Sequence, residues 1–570
     1  MIEKRWIYHP ELTSEQNQIA VELGETLKIN AALATLLAQR GIKDFESSRQ
    51  FFRPDLSLLH DPYLMKDMDV AVQRLTEAMQ NGEKILIYGD YDVDGTTSVT
   101  VFYGFLRRIY DKLDYYIPDR YNEGYGVSWQ SIDWAQENGY TLIITLDCGI
   151  KSIDKVTEAK NRGIDFIICD HHRPGDTLPP AVATLDPKRT DCDYPYKELT
   201  GCGVGFKFLQ AYCISENLDQ KVLFEYLDLL VVSIAADIVP ITGENRILAH
   251  YGLLQLNAAP RIGIKALIKI AGMSGILDIT NVVFGIGPRI NAAGRIKHAK
   301  EAVRLLLSEE EEEADEFAQE INRHNNDRKV FDSSITEEAL FMIENDVWFS
   351  DAKSTVLFKE DWHKGVIGIV ASRCIEKYHR PTIILTESHG KAAGSARSVP
   401  GFDVYEAIEE CADLLEQFGG HTFAAGLTLP IENINAFRSR FNEIVSSRIL
   451  PDQLIPMVNI DLPLELSMIN AKFYNILRQM GPFGPGNMTP LFESKNVTLV
   501  GDPVIMKEKH IRFNVRQEGS LTFTAIGFGM AEVYTDLVNK RPFSICYHLE
   551  ENNFRDKKSL QLFLKDIKIH

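Results

Sequence analysis

Cysteine is scarce in this chain of 570 residues. There are eight, Cys148, Cys169, Cys192, Cys202, Cys213, Cys374, Cys411 and Cys546, and no two are spaced as CxxC. That excludes a disulfide scaffold and a cysteine-ligated zinc site, and leaves reduced, buried thiols as the expectation. No run approaches the ~20 consecutive apolar residues of a membrane span, and the N-terminus has no apolar stretch of signal-peptide type. A cytoplasmic protein with no membrane partner is expected. Positive charge is also in short supply: 61 Lys and Arg against 80 Asp and Glu give a formal net charge of -19. Taken alone, that counts against a nucleic-acid partner. Two features weaken the objection. The acidic run Glu309 to Glu313 fits a solvated helix face. Acids that hold divalent cations also count as negative, although the bound ion reverses the local field. Solenoid repeats and low-complexity tracts are absent. What remains, 45% hydrophobic and 25% charged, is ordinary for a globular chain, and the length suggests three or four domains.

The pattern that organises the chain begins at Lys84. KILIYGDYDVDG is an apolar run ending in acids and glycine, followed by TTSVTVFYGFLRRIY at helical period. YTLIITLDCGI at 140–150 and DFIICDHHRPG at 165–175 repeat the design. Short β-rich runs alternating with helical segments predict βαβ units and a parallel sheet. Ligands of such sheets bind beyond the carboxyl ends of the strands, where each of these runs carries its acids or histidines. Residues 1–80 read as helices and loops packed with this domain, which spans 81–302. A charged, glycine-free stretch predicts a long connecting helix over 303–348, with room for one break. A second α/β domain is expected over 349–450, with strands such as STVLFK and PTIILT. Residues 451–570 hold the turn-rich GPFGPGN and then five candidate strands: NVTLVGDPVIMK, HIRFNVRQ, LTFTAIGFG, FSICYHLEE and SLQLFLKDIKI. Strands so spaced, with aromatic and basic residues interleaved, predict an OB-like β-barrel that binds nucleic acid. Phe513, Phe523 and Phe528 there suit base stacking or, as strand residues, the core. The fold class is thus multi-domain α/β with a C-terminal barrel.

GDYDVDG sets Asp90, Asp92 and Asp94 on alternate residues. The match to an EF-hand loop fails, because its twelfth position is Val101 and a strand precedes it. A cap for a helix starting near Thr96 needs a single carboxylate, so three point to cations. Asp147 ends the next strand and, alone, would pass for a turn residue. Asp170, His171 and His172 end the third. Adjacent histidines on an extended chain point to opposite sides, which predicts one on a metal and one toward substrate. Together with two imidazoles, these acids gather at one sheet edge, and their like charges would repel without positive charge among them. Mixed carboxylate and imidazole ligands suit Mn2+, with Mg2+ as a substitute. Two ions about 3.5–4 Å apart, bridged by one carboxylate, make the clamp of phosphoesterases.

At these residues the chain resembles the DHH phosphoesterases, named for the triplet that is here Asp170-His171-His172. GDYDVDGTTS, TLDCGI and AADIVP, with Asp237, look like that family's motifs. GPRINAAGR (287–295), WHKGVIGIVASR (362–373), GSARSVPGFDVYEAI (394–408), FGGHTFAAGL (418–427) and GPFGPGN (481–487) narrow the resemblance to the RecJ single-strand-specific exonucleases, from about residue 5 to the end. One segment departs: SIAADIVPI stands where the family usually has Gly-Thr or similar before Ala-Asp, though Asp237 itself is present. The resemblance makes the first α/β domain the DHH domain and the second the DHH-associated domain. It implies Asp90, Asp92, Asp94, Asp147, His171 and Asp237 as metal ligands, Asp147 bridging. His172 would face the scissile phosphate, Asp170 would orient a histidine, and the nucleophile would be a water activated by the ions. Arg120, Arg289 and Arg295 lie in segments that look like substrate-binding loops. Ser395, Arg397, Ser398, Gly419, Gly420 and His421 look like a phosphate pocket, where glycine admits the backbone and arginine offers a fork. Gly419-Gly420 equally fits a helix C-cap after Phe418, and Arg295 a structural pair.

The implied activity is exonucleolytic hydrolysis of single-stranded DNA to mononucleotides. Its 5′ to 3′ direction, its place in repair and recombination, and a single-strand-binding protein or helicase as partners come from the resemblance alone. A rival enzyme is a DHH phosphoesterase for short oligonucleotides, cyclic dinucleotides or pyrophosphate; such relatives are usually shorter and lack the barrel. A rival of another class is a non-catalytic replication factor with a decayed metal site, against which every candidate ligand is retained.

Overall fold

A computed structural model of the chain describes residues 4–539, 542–554 and 557–569; of the N-terminal stretch read above, residues 1–3 lie outside these. The chain forms two compact units, one of residues 1–45, 328–478 and 489–570, the other of residues 46–327 and 479–488. Both ends depart from the expected linear order. Arg5–Tyr8, expected among helices, forms strand β1 and pairs in parallel with Met457–Ile460. The reason is Trp6, which is buried with Val458 and Ile460 and donates Nε1–H to Asp566 at 2.7 Å. At four residues, RWIY is too short to show a strand period. GPFGPGN, expected to open the last domain, belongs instead to the unit containing the acidic strands. Arg246 donates to the Gly481 carbonyl at 2.8 Å, and the Ile241 amide to the Pro485 carbonyl at 2.7 Å.

In that unit β2 (Ile85–Gly89), β3 (Leu113–Tyr116), β4 (Leu142–Leu146), β5 (Asp165–Cys169) and β6 (Ala183–Leu185) form one all-parallel sheet in the order β3-β2-β4-β5-β6. β2 and β4 are buried along their whole length, as strands covered by helices on both faces must be. The helices Val93–Leu106, Gly201–Ser215 and Leu227–Ala236 are almost wholly buried in the same core. The strand order reverses between β2 and β4. Such a switch point leaves a crevice at the carboxyl ends of the two strands.

Lys300–Leu307 is followed by a break at 308–310 and then by an unbroken helix, Glu311–Asn345. In the other unit β7 (Thr355–Phe358), β8 (Thr382–Ser388), β9 (Lys391–Arg397), β10 (Gln417–His421) and β11 (Ala424–Leu429) form a mixed sheet ordered β10-β11-β9-β8-β7. After β12, the Met457–Ile460 partner of β1, come β13 (Leu462–Pro463), β14 (Phe492–Met506), β15 (His510–Arg516), β16 (Phe523–Gly527), β17 (Phe543–Phe554) and β18 (Lys557–Ile569). The β14–β17 pairing closes these into a barrel, and all five expected strands are present. Phe513 and Phe523 are core residues, while Phe528 is exposed beside His510 and Phe563. All eight cysteines are free and buried. Among the described residues no helix is long and apolar enough to cross a membrane.

Candidate metal centre

Sheet register assembles the site. Gly89 pairs with Leu146, and Leu146 with Cys169. The residues that follow, Asp90, Asp147 and Asp170, therefore emerge side by side at the switch point, and all are buried. Asp147 turns out of the sheet in the left-handed region, at φ 62°. Asp92 caps the helix after β2 by accepting from the Gly95 amide at 3.0 Å. That helix begins at Val93, ahead of the expected Thr96. Asp94, in its first turn, is held by the Gly201 amide at 2.7 Å, the Cys202 amide at 3.0 Å and the Ser233 hydroxyl at 2.7 Å. Gly201 and Ser233 were not visible as site residues in the sequence. Their positions on separate helices carry no local signal.

His171 is the hub. Its Nε2 lies 3.1 Å from Asp147 Oδ1, 3.6 Å from Asp237 Oδ2 and 3.7 Å from Asp94 Oδ2. His172 turns its Nδ1 to Asp170 Oδ1 at 2.7 Å and lies 4.0 Å from Asp147. Asp170 also accepts from the amides of Ile150, His171 and His172. The two rings stand 4.6 Å apart and share Asp147. They do not point to opposite sides, because the strand ends at Cys169 and its alternation ends with it.

The electrostatics describe an excess of negative charge. Burial, and then Asp94, Asp92, Asp237 and Asp90, push the Asp147 carboxyl well above its ordinary range. Burial and Asp92 do the same to Asp90. Burial, Asp94 and Asp92 bring Asp237 to about 8. Burial opposes charge on His172, but its hydrogen bond to Asp170 and the charges of Asp170, Asp237 and Asp94 outweigh it and raise His172 to about 9. The buried His171 Nδ1 has no hydrogen-bond partner among the described residues.

Of the candidate strand-holding residues, Arg120 lies over the Tyr91 ring at 4.7 Å. Tyr91 meets Tyr125 edge-on, and Tyr125 meets His172 edge-on. The Tyr125 hydroxyl lies 3.2 Å from His172 Nε2, and the residue is 56% exposed. Tyr125 lies in PDRYNEGYG beside Arg120, yet the sequence reading singled out only the arginine. GPRINAAGR, read as a loop, is the helix Gly287–Ile296. Arg289 there is buried and donates to the Gly285 carbonyl at 2.6 Å and Asn322 Oδ1 at 3.0 Å. The Tyr121 hydroxyl donates to the Arg295 carbonyl. A Cβ on Gly294 would stand 2.6 Å from the Tyr91 carbonyl, so this helix presses on the GDYDVDG turn.

In the other unit, pairing aligns Ser395 with Gly426 and Gly419, and Arg397 with Ala424 and His421. Alternate residues share a face, so Ser395, Arg397, Gly419 and His421 stand on one. Gly419 and Gly420 are strand residues, which removes the C-cap alternative. Arg397 donates to Ser395 Oγ at 3.0 Å. A Cβ on Gly368 would lie 2.8 Å from Arg397 Nη2 and 2.9 Å from Ser395 Oγ. The first turn of the helix Ile367–Tyr378 therefore faces both side chains, an arrangement suited to an anion. Ser398 turns its hydroxyl to the Phe402 carbonyl at 2.7 Å, away from that group.

Three family profiles match the chain: DHH family, N-terminal domain, over residues 84–234; DHHA1 domain over 351–447; and RecJ OB domain over 460–566. The single-stranded-DNA-specific exonuclease RecJ of Bacillus subtilis (strain 168) is 39% identical over 548 residues, 95% of this chain and 69% of that protein. The same-named protein of Salmonella typhimurium is 34% identical, over 96% of this chain and 98% of its own. Among solved structures, RecJ in complex with Mn2+ from Thermus thermophilus superposes with a TM-score of 0.84 at 27% identity, covering 99% of this chain and 79% of that one. An exonuclease RecJ bound to manganese gives 0.61 at 34% identity, covering 70% and 98%. With DHH, DHHA1 and RecJ OB regions along its length and these relatives matched over 95% and 96% of it, the chain belongs to the RecJ family of single-stranded-DNA-specific exonucleases.

Proposed function

We propose that the chain hydrolyses single-stranded DNA from the 5′ end, releasing mononucleotides, with two divalent ions held at the ends of β2 and β4. The observation that carries this reading is His171 Nε2 facing Asp147, Asp237 and Asp94 at 3.1–3.7 Å. Donor atoms on a common ion with bonds of about 2.0–2.2 Å stand at such separations. The donor set, carboxylates with one imidazole, fits Mn2+ and admits Mg2+, the ions named in the Thermus thermophilus structures. Asp90, Asp92, Asp94, Asp147, His171 and Asp237 would hold the two ions, with Asp147 between them. When bound, the ions supply positive charge at the scissile phosphate and lower the pKa of an attacking water.

The chain's own groups do the rest. Asp170 fixes the His172 ring through Nδ1, so Nε2 presents toward the open side a proton that an ionised phosphate oxygen accepts. Tyr125 holds that nitrogen in the absence of substrate. Arg120 and the Gly287–Ile296 helix line the same edge and would bind the strand backbone. Ser395 and Arg397 would hold a terminal phosphate. Action in the cytoplasm, in repair and recombination, alongside a single-strand-binding protein or a helicase, completes the proposal. Its direct test is end-labelled single- and double-stranded DNA with Mn2+ or Mg2+. Mononucleotides should appear from the single strand alone; equal attack on duplex, or on a dinucleotide in preference to a long strand, would overturn it.

Two variants refine the roles. Tyr125→Phe loses the hydroxyl's contact with His172 Nε2 and its longer hydrogen bond to the Asp147 carbonyl; with a hydrogen bond worth about 0.5–1.5 kcal/mol, kcat should fall by at least about two- to tenfold with the Mn2+ requirement unchanged. An unaltered kcat would remove Tyr125 from the site's working parts. Arg397→Ala should weaken binding of 5′-phosphorylated DNA more than 5′-hydroxyl DNA. A lost charged contact is worth about 1.5–3 kcal/mol, or about ten- to a hundredfold in Kd. Equal losses on the two ends would sink the terminal-phosphate assignment.

A further inference from the structure

The helices that follow Arg289 carry a second group of ligand-type side chains, none of which belongs to the centre just described. His324, on the helix Glu311–Asn345, is 3% exposed. Its Nε2 stands 3.5 Å from Glu301 Oε2, on the helix Lys300–Leu307, and 3.9 Å from Glu320 Oε1, one turn back on its own helix. The ligand atoms of all three lie within 4.8 Å of one another. His324 Nε2 and Glu301 Oε2 are both buried, and neither has a hydrogen-bond partner among the described residues. Their separation of 3.5 Å is too long for a hydrogen bond between them. Buried polar atoms left unmatched are costly; with the imidazole proton on Nδ1, Nε2 and the carboxylate oxygen both present lone pairs to this gap, which suits a cation between them.

We infer that Glu301, Glu320 and His324 form a separate cation site that takes a divalent ion of borderline character, Zn2+ ahead of Mn2+. The spacing suits bonds of about 2.0–2.2 Å from one ion to an imidazole nitrogen and two carboxylates. Two carboxylates and a neutral imidazole also balance a doubly charged ion. The imidazole selects against Mg2+, which prefers an all-oxygen octahedron. Glu320 and His324 share a helix face by their spacing of four residues. Glu320 also meets Arg323 at 3.2 Å, but both are solvent-accessible, and such an exposed pair is weak enough to yield. Glu320 is the most open of the three ligands, so water from its side completes the coordination. The ion would tie together the helices on either side of the break at 308–310. The second of these also supplies Asn322, which holds Arg289 Nε at 3.0 Å. The site is therefore a brace for the Gly287–Ile296 helix, and not a part of the hydrolytic centre.

The test uses the full chain and counts ions. Wild type, Glu301→Gln, Glu320→Gln and His324→Gln are each equilibrated with Zn2+, freed of excess ion, and analysed by elemental analysis, with folding checked by far-UV circular dichroism. Wild type should retain one more ion per chain than each variant. Wild type should also gain thermal stability on adding Zn2+ by a larger shift than the variants. Hydrolysis at saturating Mn2+ should stay within about threefold of wild type, a factor under 1 kcal/mol. Glu320→Gln alters the most accessible ligand and reports even if the buried variants fold poorly. Equal ion counts in wild type and folded Glu320→Gln would overturn the site. So would a lost ion accompanied by lost Mn2+-saturated hydrolysis, which would assign that ion to the catalytic cluster.

Discussion

Asp147→Asn should abolish hydrolysis, lowering kcat at saturating Mn2+ by about a thousandfold or more, with the fold intact. Asparagine is the substitution to make because Asp147 sits at φ 62°. Asn tolerates the left-handed region, whereas Ala there adds strain of about 1–2 kcal/mol and confuses the reading. The exchange keeps size and shape but removes the carboxylate that faces His171 Nε2 at 3.1 Å and is proposed to lie between two ions. An ion's charge stabilisation is worth several kcal/mol at a phosphate, and about 4 kcal/mol is a thousandfold in rate. Circular dichroism and Tm, the latter within a few degrees of wild type, establish that folding is unharmed. Activity within tenfold of wild type would falsify the bridging role.

Gly201→Ala should cost about a hundredfold in activity although Gly201 bears no chemistry. A Cβ there would stand 2.6 Å from Asp147 Cα and 2.5 Å from its Cβ. Those atoms are the backbone and first side-chain carbon of a residue whose amide is held by the Cys169 carbonyl at 2.9 Å, and they cannot swing aside. The same residue's amide holds Asp94 at 2.7 Å. One methyl group therefore displaces two of the acids around His171. Overpacking of this kind costs about 1–3 kcal/mol, so Tm should fall by a few degrees for a unit of this size. Gly203→Ala, two residues along the same helix, is the control. Its added Cβ would meet Leu199 side-chain atoms at 3.3 Å, and these can give. Comparable losses from the two substitutions would show that the helix, and not the contact with Asp147, is what matters.

The acids at the strand ends were legible because each closes a long apolar run, and parallel strands ending together bring their next residues together. β3 and β6, at four and three residues, were not, since neither is long enough to show a period. The barrel was read strand for strand because its five strands are consecutive in sequence and separated by turn residues. The segment around Arg289 was misread as a loop for the opposite reason. An arginine beside Gly and Pro reads as a loop, and nothing local reveals that Asn322 and the Gly285 carbonyl await it. Tyr125 and Gly201 share that limit: their importance lies in what they touch across the sheet edge. The histidine pair was misread by extending strand alternation past Cys169, where the strand had already ended.

The pairing of β1 with β12 constrains how the protein is made. Arg5 and Met457 lie 452 residues apart, so β1 leaves the ribosome and then waits for its partner. At about 5–20 residues per second that wait is roughly 20–90 s. During it RWIY carries an exposed tryptophan and unpaired backbone groups, which other strand edges can capture. The GPFGPGN segment completes the acidic unit only after more than a hundred intervening residues have been synthesised. Neither unit can therefore finish folding as a contiguous domain during synthesis. Cleavage of the nascent chain near residue 450 would leave both incomplete.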